Sequence, residues 1–104
     1  MAVNILNNRK RKPTHPGELL RKDVLPSSGL SQAELARRLK VSRRTVSEIV
    51  NERRSVTIDM AHRLARVFNT TPDVWVNMQM AFDLWDALEQ NKRVYERIKP
   101  LKVA

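Results

Sequence analysis

Residues 31–51 read "SQAELARRLKVSRRTVSEIVN", and the fold follows from how this stretch divides. Ser31 and Glu34 have the S-x-x-E spacing of a capping box, which opens a helix by satisfying free backbone amides. Leu35, Ala36 and Leu39 then recur at helical spacing and give that helix one buried stripe. Lys40–Val41 is too short for anything but a turn. Ser42 is a good N-cap for a second short helix, whose inward face is Val46, Ile49 and Val50 and which Asn51 can end. Two short helices joined by so tight a turn have helix-turn-helix geometry. Ala36 is small where the helices cross, and Val41 plugs the turn.

With those positions inward, the outward face of the second helix carries Arg43, Arg44, Ser47 and Glu48. Two arginines in a first turn oppose the helix dipole, at a cost of about 0.3–1 kcal/mol each. An arginine that bonds guanine O6 and N7 is worth ~1–3 kcal/mol of base discrimination. The N-terminal part of a recognition helix is where base edges are met in the major groove. The partner implied is double-stranded DNA.

The flanks add three helices. "THPGELLRKDVLP" (14–26) places Pro16 at a first helical position and Glu18 in the first turn, with Leu19, Leu20 and Val24 apolar. Pro26 disfavours helical geometry at Leu25, so this helix is expected to end about there. Thr57 caps a fourth helix with Ile58, Ala61, Leu64, Ala65 and Phe68 on its buried side. Thr71-Pro72-Asp73 opens a fifth. On a helical wheel the fifth helix has two apolar arcs. Val74, Trp75, Met78, Ala81, Phe82, Trp85 and Leu88 form one; Val76, Met80, Leu84 and Ala87 form the other. Gln79, Asp83, Asp86 and Gln90 make the polar strip. A helix apolar on most sides buries more than one face. Either neighbouring helices cover both arcs, or the second arc is the seam of a homodimer.

The expected fold is all-α, with five helices, and the organisation is threefold. Residues 1–13 form a basic arm, 14–90 the DNA-binding domain with its dimerising fifth helix, and 91–104 a C-terminal tail. Arg9–Lys12 is a run of four cations. It is either a solvated end or an arm lying along phosphates. In the tail, Val94, Tyr95 and Ile98 can continue the helix as far as Pro100, or add to a partner contact.

Charge agrees with a polyanionic partner. The chain of 104 residues carries +9, of which residues 1–56 hold 13 Lys/Arg against 5 Asp/Glu and residues 57–104 only 7 against 6. There is no cysteine, so no disulfide or thiolate metal site forms. His15 and His62, the two histidines, lie in no metal-spaced cluster, and His62 reads as a surface or edge residue. No nucleophile motif or glycine-rich phosphate loop points to an enzyme. No cofactor, no membrane partner and a cytoplasmic location are expected.

Residues 31–79 resemble the XRE-type helix-turn-helix family, whose fold is that of the lambda-class repressors. "HPGELLRKDVLP" before them and "TTPDVWVNMQMAFDL" after them resemble the HigA-type antitoxins and virulence-associated protein I. The resemblance spans residues 13–88. It implies a dimeric repressor that binds a palindromic operator, pairs with a HigB-like ribonuclease toxin and autoregulates its operon. The alternative is a stand-alone regulator with no toxin. Residue by residue, it implies base reading by Arg43, Arg44 and Glu48, with Ser47 beside them. It implies phosphate contacts by Gln32, Thr45 and Asn51, with Arg53 and Arg54 in the loop that follows. Two positions depart from the family pattern. Lys40 and Glu52 stand where glycine is frequent, and a left-handed backbone costs such residues roughly 1–2 kcal/mol.

Overall fold

The computed structural model describes residues 11–102 as five helices, with no strand among them. The arm expected over residues 1–13 lies mostly outside the described residues, as do the last two residues of the tail.

Helix α1 is one helical stretch made of Pro16–Leu19, a π-helical turn Leu20–Val24, and Leu25–Ser28. It does not stop before Pro26. Leu25 keeps helical angles (φ −67°, ψ −45°) and its N–H reaches back to the Leu20 carbonyl, five residues away. A regular helix would press the proline ring against the carbonyl four residues before it. The wider π-turn displaces that carbonyl, so the helix runs on for one more turn. Gly29, at φ 72°, ends it.

Helix α2 (Gln32–Leu39) starts as expected, with Ser31 Oγ accepting from Glu34 N at 3.1 Å. The Glu34 carboxylate lies on Arg37 (3.1 Å) and Arg38 (3.8 Å). Lys40 takes the left-handed angles (φ 60°) that usually favour glycine. The turn is held nonetheless. Val41 N donates to Ala36 O at 3.0 Å. Arg63, from further along the chain, donates to the Leu39 and Lys40 carbonyls at 2.8 and 3.3 Å. Helix α3 (Arg43–Val50) is capped by Ser42, which accepts from Thr45 N at 3.1 Å. Past Asn51, Glu52 is again left-handed (φ 61°), and Arg53 N closes onto Glu48 O at 2.8 Å.

Helix α4 (Ile58–Phe68) is capped by Thr57, which accepts from Met60 N at 3.1 Å. Its buried side is Met60, Ala61, Leu64 and Ala65. Ile58, expected inside, is 61% exposed. It is the first helical residue, and Met60, two positions on, is the one buried in the core. Helix α5 (Pro72–Arg97) begins with Pro72, but Thr71 makes no side-chain cap. Thr70 Oγ1 instead accepts from Trp75 Nε1 at 2.9 Å.

The core joins all five helices through Leu20, Leu35, Val46, Val50, Leu64 and Trp75, with Val41 packed against it. Each such side chain contributes about 1.5–3 kcal/mol by leaving water. Two expectations for α5 are corrected here. Gln79 is buried, not part of a polar strip. Its Oε1 accepts from Val56 N at 2.8 Å and its Nε2 donates to Asp83 Oδ1 at 2.9 Å. The amide therefore satisfies a loop backbone group that would otherwise be orphaned. Val74, assigned to the core arc, faces solvent. Asn91 (φ −126°, ψ 20°) kinks α5 before its last two turns, whose residues are all exposed.

Candidate nucleic-acid interface

Helix α3 is placed by contacts at its C-terminal end, and they come from α1. His15 caps α1: its Nδ1 accepts from Gly17 N at 2.8 Å. Its ring meets Phe82 of α5 edge-on, with centroids 4.8 Å apart. Gly17 then lies directly against α3. A Cβ at this position would sit 1.8 Å from the Ile49 carbonyl oxygen, so only glycine lets the two backbones approach. Arg21 donates from Nη1 to the Val50 carbonyl and from Nη2 to Glu52 Oε2 at 3.2 Å. An arginine thus closes the negative end of the helix. Burial holds the His15 imidazole below its ordinary pKa, against the opposing pull of Glu52, Asp83 and Glu18. The ring is neutral near pH 7, as an acceptor at Nδ1 requires.

These positioning residues were missed in the sequence, although two signals were present. A glycine in a helix's first turn runs against propensity and marks close backbone approach. A histidine directly before Pro-Gly offers an acceptor where a cap is wanted.

With its inner face and C-terminal end held, α3 presents the expected outer face. Arg43 and Arg44 are exposed, while Ser47 and Glu48 are half-buried. The structure joins several of the expected site residues. Glu48 Oε1 accepts from Arg54 Nε and Nη2 at 2.9 and 2.7 Å, and Oε2 from Arg44 Nε at 3.3 Å. Two arginines on one carboxylate hold it below the usual glutamate range, Arg54 having the larger effect. Asn51 Nδ2 donates to Ser47 O at 2.8 Å, and the Thr45 hydroxyl shares a 2.9 Å bond with Ser42 Oγ. Both polar groups, expected at phosphate-contacting positions, are engaged with α3 and its cap in the free chain. Gln32, Arg43 and Arg53 are exposed and stand outside this bonded network.

On α5, Met80 and Leu84 are 55% and 52% exposed, and Ala87 is half-buried. Val76 differs from them, because it packs against the core. Its side chain follows Trp75 into the body, so the exposed part of the second arc starts at Met80. Among the described residues there is no group of three or more His, Cys, Asp or Glu placed to hold a metal ion, and no helix is long and apolar enough to cross a membrane.

A helix-turn-helix family model matches residues 20–75. Virulence-associated protein I of Dichelobacter nodosus is 47% identical over 84% of this chain and 80% of its own length. The solved structure of Pseudomonas aeruginosa antitoxin HigA with the higBA promoter is similar at a TM-score of 0.80, with 45% identity over 86% of this chain and 99% of that one. Antitoxin GraA in complex with its operator is similar at a TM-score of 0.81, with 40% identity over 92% of this chain and 98% of that one.

Proposed function

The chain belongs to the helix-turn-helix family of the HigA-type antitoxins and virulence-associated protein I, and from that premise we propose that it is a sequence-specific DNA-binding repressor. It serves as the antitoxin of a HigB-like ribonuclease toxin and autoregulates the operon that encodes both. It works in the cytoplasm by binding, not by catalysis. Two protomers meet across the exposed arc of α5, at Met80, Leu84 and Ala87 with Val76 at the margin. Their α3 helices then lie in successive major grooves of a palindromic operator.

One observation carries the DNA reading. Helix α3 is fixed from behind by Gly17 and Arg21 while it exposes Arg43 and Arg44 on its first turn. Among the described residues Arg44 has only an exposed pair with Glu48 and Arg43 has no ion pair, and relatives of the same architecture were solved on operator or promoter DNA. Arg43, Arg44 and Ser47 meet base edges. Gln32, Thr45, Asn51, Arg53 and Arg54 lie along the phosphates. Replacing Arg43 or Arg44 with Ala is expected to cost ~1–3 kcal/mol on the operator and to relax base preference at one position. A gel shift on operator and random duplexes reads this. Equal losses on both duplexes would mean that these arginines touch only phosphates.

A further inference from the structure

Glu48 lies on the face that meets DNA, yet three of its roughly four acceptor sites are already taken. One carboxylate oxygen takes two bonds from Arg54 and the other takes one from Arg44. The geometry of the two arginines is unequal. Arg54 spends Nε and Nη2 on the carboxylate. Arg44 spends only Nε, so its terminal Nη1/Nη2 edge is left to solvent, and its side chain is 86% exposed. A guanidinium bonded at Nε to a carboxylate is biased toward one orientation, modestly so for an exposed pair one turn apart. Its outer edge is the one that matches guanine O6 and N7 bidentately.

We propose that Glu48 is a positioning residue for specificity: it reads no base itself, but holds Arg44 aimed at a guanine and Arg54 aimed at the phosphate path. This rests on the DNA-binding reading above. The pair Arg44–Glu48 spans one helical turn, so the brace keeps Arg44 lying along α3 instead of swinging free. Ordering a long side chain before binding removes part of the entropy that the complex would otherwise lose. The carboxylate also acts against wrong sequences. Where Arg44 finds its guanine, the Glu48 charge stays neutralised between two cations. Where Arg44 leaves to follow a phosphate, Glu48 keeps only Arg54, and a carboxylate with one of its two cations gone faces a polyanion. Such an arrangement penalises non-specific DNA more than it helps the operator, which is how discrimination is raised without added affinity.

The test uses the full chain with Glu48→Ala, Arg44→Ala and the double variant. Fluorescence anisotropy at one salt concentration reads binding to the operator, to operators with single base pairs replaced in each half-site, and to random duplex. Glu48→Ala is expected to bind random DNA several-fold more tightly and to lose about tenfold in operator preference. The double variant should discriminate no worse than Arg44→Ala alone, because the brace has no role without the arginine it holds. In the free protein, the Arg44 and Arg54 Nε–H resonances should move in Glu48→Ala. The proposal is overturned if the Arg44 and Glu48 losses multiply, with the Glu48 loss confined to a different base pair, for then Glu48 reads a base. It is also overturned if Glu48→Ala leaves operator preference unchanged. A wild-type chain with no operator preference at all would overturn the DNA reading beneath it. That failure is distinguishable, since every variant would then bind all duplexes alike.

Discussion

Gly17 and His15 show how few atoms aim the reading helix. Gly17→Ala would drive a methyl group into the Ile49 carbonyl oxygen, 1.8 Å away before relaxation. Helix α1 must shift from α3, at a cost of about 1–3 kcal/mol, the range for overpacking a well-filled site. Urea unfolding should show a lower midpoint with an unchanged slope, and operator binding should weaken as α3 is displaced. A variant as stable as the parent would mean that the two backbones part without cost. His15 makes stability depend on pH. Its pKa is lowered in the folded chain from the ordinary value of about 6.5, so the unfolded state binds the proton more readily. The His15 contribution is complete above the ordinary value and is lost as pH falls through the lowered one. Glu52, Asp83 and Glu18 oppose this loss and Lys12 adds to it. His15→Asn keeps a capping acceptor and cannot titrate. It should therefore flatten the unfolding midpoint between pH 6.5 and the onset of carboxylate titration, although it loses the Phe82 contact. An unchanged pH slope in His15→Asn would assign the titration to another group.

At the scale of helices, the local signals were legible and the long-range ones were not. Ser31, Ser42 and Thr57 each cap the helix expected of them, because capping involves only the next three residues. The two left-handed turns at Lys40 and Glu52 were legible for the same reason, as glycine positions filled by other residues. Pro26 misled because the π-turn that accommodates it is a property of five preceding residues. Gln79 misled because its hydrogen-bond partner, Val56 N, is 23 positions away, and a helical wheel sees one helix only. The face of α3 was legible because its inner side is plainly apolar. The means of aiming it was not, because Gly17, Arg21 and Arg63 act on carbonyls of other helices. The exposed arc of α5 carries the prediction for this scale. Met80→Glu with Leu84→Glu sets like charges against each other across a two-fold seam, and unpaired buried carboxylates cost several kcal/mol. Both side chains are more than half exposed in one protomer, so the variant should keep its helical circular dichroism. Sedimentation should report a monomer, with operator affinity reduced because two linked half-sites no longer act together. A folded variant that still sediments as a dimer would move the interface elsewhere.

For the whole molecule, charge and shape divide the labour. The half that contains α2 and α3 holds nearly all of the net +9, which suits a phosphate surface. The nearly neutral half contains α4 and α5, which suits protein contacts. Charge alone draws the chain to any DNA, and binding of that kind weakens steeply with salt. Sequence preference is what the fixed, outward face of α3 adds. Equilibrium competition, at one fixed salt concentration, between the palindrome upstream of the chain's own gene and a random duplex of equal length measures that preference. Two protomers should bind each palindrome, ~10³-fold or more tighter than the random duplex. Equal affinity for the two, within a few-fold, would mean that α3 adds no sequence preference.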